Sequence, residues 1–153
     1  MWAGFVCFTF IKPKTPMYSP RKEFDEDLHQ EFDFTAKLKT IEYLGNLGIN
    51  AVENPDRYGV DLIVPDCFYV EVECKYVWTG EEFPYKDVHL PYRKSKYFNL
   101  DMPTLFCIWN REFSHLISFN SFIVKEIEPV EVKNKYIPEG ELFFKIPIDP
   151  EFL

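Results

Sequence analysis

Two neighbouring stretches of the chain consist almost entirely of apolar and β-branched side chains, interrupted by polar ones at a few positions. The first is Gly59–Val64 and the second is Phe68–Lys75, with a short turn between them. Because the side chains of a strand alternate between two faces, Glu73 and Lys75 point to the same side. If the two strands pair as a hairpin, Asp61 on the first meets an acid and an amine on the second.

A longer pattern predicts one convincing helix at Asp25–Leu47. Its first turn is acidic, which suits the positive end of the helix dipole, and Gly48 is placed to end it. Apolar residues recur at helical spacing and predict a face turned towards the core. They are Leu28, Phe32, Ala36, Tyr43 and Leu47, with Leu38, Ile41 and Leu44 widening the stripe.

Shorter elements surround this helix and the two strands. In chain order we expect a strand at Met1–Ile11, a proline-rich arm at Lys12–Lys22, a strand at Ile49–Glu53, a turn at Asn54–Gly59, a polar loop at Trp78–Asp87, a short helix at Tyr92–Asn99, and strands at Thr104–Trp109, His115–Phe119 and Leu142–Ile148. The order of helix, three strands, helix and two strands predicts an α/β (α+β) fold.

Composition and charge narrow the class of protein. With 153 residues, of which 46% are hydrophobic, the chain suits a single globular domain, 1–153, rather than a disordered one. We expect no membrane partner, because no stretch is long and apolar enough to span a bilayer. Met1–Ile11 lacks a basic region and a cleavage pattern, so we interpret it as a buried strand and not a signal peptide. The net charge of −8 argues against tight non-specific duplex binding, although it permits a local basic patch.

Cysteine and histidine offer little metal chemistry. The four cysteines are widely spaced and predict reduced core residues in a cytoplasmic protein rather than a zinc site: Cys7, Cys67, Cys74 and Cys107. The histidines have no partner at ligand spacing, so solvated or core positions are expected for His29, His89 and His115, of which His89 lies nearest the expected cleft. We expect Trp78 and Trp109 to be core or rim aromatics. Neither a glycine-rich phosphate loop nor a Gly-x-Ser-x-Gly elbow is present.

The acids of the two strands favour a hard cation. Two carboxylates held together repel each other, and a divalent cation such as Mg²⁺ compensates their charge while keeping several waters. The ammonium of Lys75 could then orient a water and stabilise charge on a phosphate. The alternative is an exposed sheet face on which Glu71, Glu73 and Lys75 are simply solvated.

Asp61 followed by Glu73-Cys74-Lys75 resembles the motif of the PD-(D/E)xK nuclease superfamily, and the resemblance covers about 23–119. It implies a restriction-endonuclease-like αβββαβ core with a mixed central sheet flanked by helices. The N-terminal strand and arm at 1–22 and a strand-rich extension at 120–153 would be additions. It also implies Asp61 and Glu73 as metal ligands, the backbone carbonyl of Cys74 as a further ligand, and Lys75 near the attacking water.

Sites of this kind often take a further acid from the first helix. We expect Glu31 in that role, with Asp33 and Glu42 as alternatives, while all three as solvated surface acids remains open. Glu71 either extends the metal site or pairs with Arg57 or Lys96, and the ion pair is favoured.

The densest basic cluster is Arg93, Lys94 and Lys96, with tyrosines interleaved. It falls where the family places the helix that borders the active site. These groups could hold a phosphate backbone, or they could form a solvated helix face.

The sequence therefore predicts an Mg²⁺-dependent DNA endonuclease, in which Mn²⁺ could substitute, acting as a structure-specific enzyme or as a homodimer. One alternative is a catalytically inactive nuclease-fold protein that serves in binding or assembly. Another is an unrelated α/β domain that carries the motif by chance.

Overall fold

The long helix is present where the pattern predicts it. The computed structural model describes residues 26–148, with side chains from residue 30 onward, so the expected strand at 1–11 and arm at 12–22 lie outside the described residues. Helix α1 spans Glu26–Asn46. It ends because Gly48 adopts a φ of +79°, and the N–H of Ile49 then donates to the carbonyl of Leu44 at 2.9 Å.

The predicted apolar stripe of α1 is narrower than expected. Ala36 and Leu44 are buried, but Leu38 and Leu47 are 50% and 60% exposed, so their assignment to the core was wrong. The helix is fixed to the sheet by a polar contact inside this stripe. The indole N–H of Trp109 donates to the hydroxyl of Thr40 at 2.8 Å, and both residues are buried.

Within residues 26–148, eight strands form two sheets. They are β1 Val52–Glu53, β2 Leu62–Val64, β3 Phe68–Lys75, β4 Asp87–Pro91, β5 Thr104–Asn110, β6 Leu116–Asn120, β7 Val130–Val132 and β8 Glu141–Pro147. The five-stranded sheet has the order β1-β2-β3-β5-β6, and the three-stranded sheet has the order β4-β8-β7. Within the larger sheet β3 and β5 are parallel and the other neighbours are antiparallel. The fold is thus mixed α/β.

Between the parallel strands β3 and β5 the chain crosses over the sheet and carries two short elements. These are β4 and a 3-10 helix at Tyr92–Tyr97. The prediction of a short helix here is confirmed in place, although its hydrogen bonding is 3-10. The sequence-based prediction had no strand at β4, none at β7, and no helix at α2, Ser121–Val124.

The larger sheet has an apolar core on each face. One face packs against α1 through Leu62, Val70 and Cys107, among others. The other packs against the smaller sheet and the 3-10 helix through side chains such as Phe106 and Ile117. The second face is therefore covered mainly by strands, where the resemblance implied a helical layer.

The outcome for the cysteines is mixed. Cys74 and Cys107 are buried, as predicted, but Cys67 is exposed in the turn between β2 and β3, so its assignment to the core was wrong. Cys7 lies outside the described residues. In the part of the chain that the structure describes, no helix combines the length and apolar character needed to cross a membrane.

Candidate functional site

Asp61 is placed by the turn that precedes β2. The side-chain carbonyl of Asn54 accepts the N–H of Asp56, and the carboxylate of Asp56 accepts the N–H of Tyr58, each at 3.0 Å. This is the side-chain-supported turn that the residues of 54–59 favour. A Cβ at Gly59 would approach the side-chain amide of Asn54 to 2.8 Å and disturb its hydrogen bond to the carbonyl of Val60, so the packing of this turn favours glycine there.

The two strands form the predicted antiparallel hairpin, with Leu62 opposite Val70. Continuing this register by one residue puts Asp61 opposite Glu71, and Glu73 lies two residues further along the same face. A carboxylate oxygen of Asp61 accepts the backbone N–H of Val72 at 2.9 Å, so this side chain bridges to β3 directly before the start of β2.

Glu71 is the buried acid of this face. Only 5% of it is exposed, and its carboxylate accepts a hydrogen bond from the ammonium of Lys94 at 2.5 Å. Burial, followed by repulsion from Asp61, raises the pKa of Glu71 to about 7, and this rise persists although Lys94 and Lys96 act in the opposite direction. The predicted ion pair is present, but its partner is Lys94, so the expectation of Arg57 or Lys96 was wrong.

The ammonium of Lys94 interacts electrostatically with each of the three acids of this face, Asp61, Glu71 and Glu73. Burial alone lowers the pKa of its ammonium, but attraction to Glu71 and the hydrogen bond with it, together with Asp61 and Glu73, raise the pKa above its ordinary value. We call Asp61, Glu71 and Glu73 the carboxylate cluster. Lys94 remains charged beside this cluster throughout the physiological pH range, which offsets part of its negative charge.

Glu73 and Lys75 share a face, as predicted, and their side chains meet directly. The ammonium of Lys75 lies 2.6 Å from the carboxylate of Glu73, and both are partly exposed. Between them Cys74 faces the opposite side, where its thiol donates to the carbonyl of Asn110 at 3.5 Å. Burial, then the charges of Glu73 and Asp33, raises the pKa of this thiol to about 12, so it is not a nucleophile. The proposed role of the Cys74 carbonyl stays a prediction.

The helix contributes a cation to the cluster. Lys37 of α1 lies 3.4 Å from the carboxylate of Asp61. Of the three helix acids considered, Glu31 is exposed, Glu42 pairs with Lys39 at 3.4 Å, and Asp33 acts electrostatically on Cys74 of β3. The choice of Glu31 therefore stays a prediction.

Sequence reasoning missed Lys37. A signal was available, because Lys37 lies one helical turn from Asp33 and Ile41, on the side of α1 that packs on the sheet.

The basic cluster of the 3-10 helix divides between several contacts. Lys94 turns inward to Glu71, Arg93 lies 3.4 Å from Glu141, and Lys96 lies over the ring of Tyr97 at 4.9 Å. The prediction that all three hold a nucleic-acid backbone stays a prediction. Arg93 and Lys96 are exposed, whereas Lys94 is already engaged.

A cleft of about 320 Å³ opens beside Lys75. Its lining includes Lys75, Phe83, Tyr85, Lys86, Asp87 and His89. Burial, then the charge of Lys145, lowers the pKa of His89, so this ring is neutral at pH 7. We call this space the aromatic cleft.

The predictions for Trp78, Trp109 and His115 are confirmed. Trp78, Trp109 and His115 are all buried, and the hydroxyl of Ser114 lies 2.9 Å from a ring nitrogen of His115. His115 is a core histidine. The side chain of His29 lies outside the described ones.

Within residues 26–148, no three side chains of His, Cys, Asp or Glu are grouped closely enough to hold a metal ion. Compared with protein-family models, with curated proteins and with solved structures, the chain gave no match.

Proposed function

We propose that this chain is a divalent-metal-dependent nuclease of the PD-(D/E)xK type that hydrolyses phosphodiester bonds in DNA. The observation that carries the proposal is the meeting of Asp61 with one face of β3. The bond from the N–H of Val72 fixes Asp61, and Glu71, Glu73 and Lys75 line that face by strand alternation. Three carboxylates and the ammonium of Lys75 thus lie at one face of β3, with Asp61 close enough to raise the pKa of Glu71.

The topology supports the same reading. A helix, three antiparallel strands, a crossover, and a strand parallel to β3 match the αβββαβ order that the resemblance implies. The crossover carries a 3-10 helix and β4 in place of a long helix. Asp61 lies directly before the first residue of β2 and beside the middle of β3, so an acid precedes the strand that carries Glu73-Cys74-Lys75, in the order of the motif.

The carboxylate oxygens of the cluster are the kind of ligand that Mg²⁺ takes. This ion is commonly held by one or two carboxylates, with waters and substrate phosphates completing its coordination, and Asp61 with Glu73 supplies two. When bound, it would supply Lewis-acid polarisation of the phosphate and a more acidic water.

Groups of the chain itself hold the carboxylate of Asp61, orient the water and stabilise the developing charge. Val72 and Lys37 hold the carboxylate of Asp61, at 2.9 and 3.4 Å. Lys75 orients a water and stabilises the charge that develops on the phosphate. The attacking water gives up a proton to solvent as its oxygen bonds to phosphorus, the ester P–O bond breaks, and the leaving oxygen takes a proton from solvent.

A second candidate function is a non-catalytic binding or assembly protein that keeps the same fold. The observation that favours it is that lysines already neutralise the cluster, at 2.6 Å for Lys75 with Glu73 and 2.5 Å for Lys94 with Glu71. The absence of a three-ligand group among residues 26–148 agrees with it.

A cleavage assay separates the two. Plasmid, branched DNA, single-stranded DNA and RNA are incubated with the protein in Mg²⁺ or Mn²⁺, alongside Asp61→Asn and Lys75→Ala. We expect each substitution to lower the cleavage rate by about 10²-fold or more, the usual effect of removing one group that stabilises developing charge. EDTA should abolish cleavage.

The matched controls are Glu128→Ala and Lys133→Ala, an exposed acid and an exposed lysine that flank β7 at the far edge of the smaller sheet. Both should cleave like the parent. Folded protein that binds DNA but cleaves none of the substrates in either metal would establish the binding function instead.

A further inference from the structure

The aromatic cleft has a rigid aromatic wall. Buried Trp78 contacts Phe83 edge-to-face at 5.3 Å, and Phe83 contacts Tyr85 at 5.8 Å. Tyr85 itself is 59% exposed. The three rings therefore form a row from the core to the surface. The ring of Tyr85, at the surface end, is exposed to solvent and packs against Phe83.

The loop that carries these rings is pinned to the turn after β5. The side-chain amide of Asn110 donates to the carbonyl of Gly80 at 2.9 Å, and the N–H of Arg111 donates to the carbonyl of Trp78 at 2.8 Å. Because these bonds fix both chain direction and position, Tyr85 needs little ordering before it binds a partner.

The charges around Tyr85 differ on its two sides. The lining of the aromatic cleft includes Lys75, whose ammonium also pairs with Glu73 at 2.6 Å, and Lys86, with Asp87 as its one acid. Lys145 lies opposite His89 in the β4–β8 register. A neighbouring cleft of about 350 Å³ shares Tyr85 and Lys86, but Glu81 and Glu82 line it. An anion is therefore favoured on the Lys75 side and repelled on the other.

We propose that the aromatic cleft holds one unpaired nucleotide of a single-stranded nucleic acid, with its base stacked on Tyr85 and its phosphate towards Lys75 and Lys86. Base stacking on an exposed aromatic ring requires a base that has left its own stack. The inference rests on the proposed function, because Lys75 would then bring the adjacent phosphate to the carboxylate cluster. It narrows the substrate to single strands, flaps or other unpaired segments.

Few phosphates would be held in this way, which agrees with the net charge of −8. For two lysines, the logarithm of the affinity for a single strand should fall with the logarithm of salt concentration with a slope of about −1.4. A duplex-tracking protein with many phosphate contacts would show a much steeper slope.

The test measures binding in EDTA, where cleavage cannot interfere. A fluorescent oligodeoxythymidine, the matching duplex, and thymidine monophosphate as competitor are compared by fluorescence anisotropy on the full chain. We expect the single strand to bind and the duplex to bind at least ten-fold more weakly. Tyr85→Ala should weaken single-strand binding by about five-fold or more, Tyr85→Phe should restore it, and Lys86→Ala should reduce the salt slope by about 0.7.

The matched control is Tyr136→Ala. Tyr136 is 71% exposed beside Lys135, whose ammonium lies 4.8 Å from its ring centroid, so it offers a similar pair on another surface. Its removal should leave binding unchanged. Unchanged binding by Tyr85→Ala, equal binding of the duplex, or thymidine monophosphate that does not compete with the oligonucleotide would each overturn the inference.

The outcome is separate from that of the proposed function. If the protein binds single strands through Tyr85 but cleaves nothing in Mg²⁺ or Mn²⁺, the nucleotide site in the aromatic cleft is supported and the nuclease proposal is contradicted. If cleavage depends on metal and Tyr85→Ala leaves it intact on every substrate, the nuclease proposal is supported and the nucleotide site in the aromatic cleft is contradicted.

Discussion

Two glutamate–lysine pairs stand on the same face of β3 and differ in how they are built. Glu73 and Lys75 are two residues apart, meet at 2.6 Å, and are both partly exposed. Glu71 and Lys94 are 23 residues apart, meet at 2.5 Å, and Glu71 is only 5% exposed. The first pair is a property of one strand, whereas the second exists only because the crossover returns over the sheet.

The difference shows which pair is structural and which is available for chemistry. A buried charge with one partner depends on that partner, while a partly exposed pair is screened by water and exchanges partners readily. Lys75 can therefore leave Glu73 for a phosphate at small cost. Lys94 cannot leave Glu71 without a replacement cation.

Removing the lysine of each pair should show most clearly how the two pairs differ in their contribution to stability. We expect Lys94→Ala to lower the free energy of unfolding by about 3–5 kcal/mol above pH 7, because it leaves the carboxylate of Glu71 buried and unpaired. Lys75→Ala should lower it by less than about 1 kcal/mol. Urea unfolding of the two variants measures both values.

Lys96→Ala is the control for the first variant, since Lys96 belongs to the same 3-10 helix but is exposed and lies over the ring of Tyr97. It should resemble Lys75→Ala. If Lys94→Ala and Lys75→Ala lower the free energy of unfolding equally, the burial of Glu71 makes no difference to the stability that its lysine partner provides.

The pH dependence of stability should also distinguish the pairs. The pKa of Glu71 is raised from its ordinary 4.5 to about 7, first by burial and then by Asp61. Between these values the folded state keeps a proton that the unfolded state has released. The contribution of Glu71 is thus fully present below pH 4.5 and is lost as the pH rises to about 7.

We therefore expect the stability of the parent, measured against Glu71→Gln, to fall by up to about 3 kcal/mol across this range. Thermal or urea unfolding at intervals of pH provides the two profiles. Profiles that run parallel from pH 4.5 to 7 would show that Glu71 titrates alike in the folded and unfolded states.

The local part of this picture was predictable from the sequence. Alternation along Phe68–Lys75 correctly placed Glu73 and Lys75 on one face, and the residues of 54–59 correctly indicated a turn. The long helix followed from its periodicity and from Gly48. Each of these depends on neighbours within a few residues, which is the range over which sequence patterns act.

The non-local part was not predictable. The buried state of Glu71 depends on Lys94, which the crossover brings back from 23 residues away. Strand β4 has an alternating pattern, but it is only five residues long, and the sequence predicted no element between the loop that ends at Asp87 and the helix that begins at Tyr92. Its pairing with β8, nearly sixty residues along the chain, is what stabilises it.

A third lysine extends the comparison to Asp61 and should give the smallest effect. Lys37 lies 3.4 Å from the carboxylate of Asp61, so it both orients this group and competes with a metal ion for it. Orientation should survive its loss, because the N–H of Val72 holds the same carboxylate at 2.9 Å. We therefore expect Lys37→Met to strengthen Mg²⁺ binding by about five-fold, which corresponds to about 1 kcal/mol of relieved like-charge repulsion. Calorimetric titration with Mg²⁺ measures this directly, and Lys39→Met, which removes an exposed partner of Glu42 on the same helix, should leave the affinity unchanged.

If Lys37→Met instead weakens Mg²⁺ binding, then Lys37 acts mainly to position Asp61, and the lysines of this site support the metal rather than replace it.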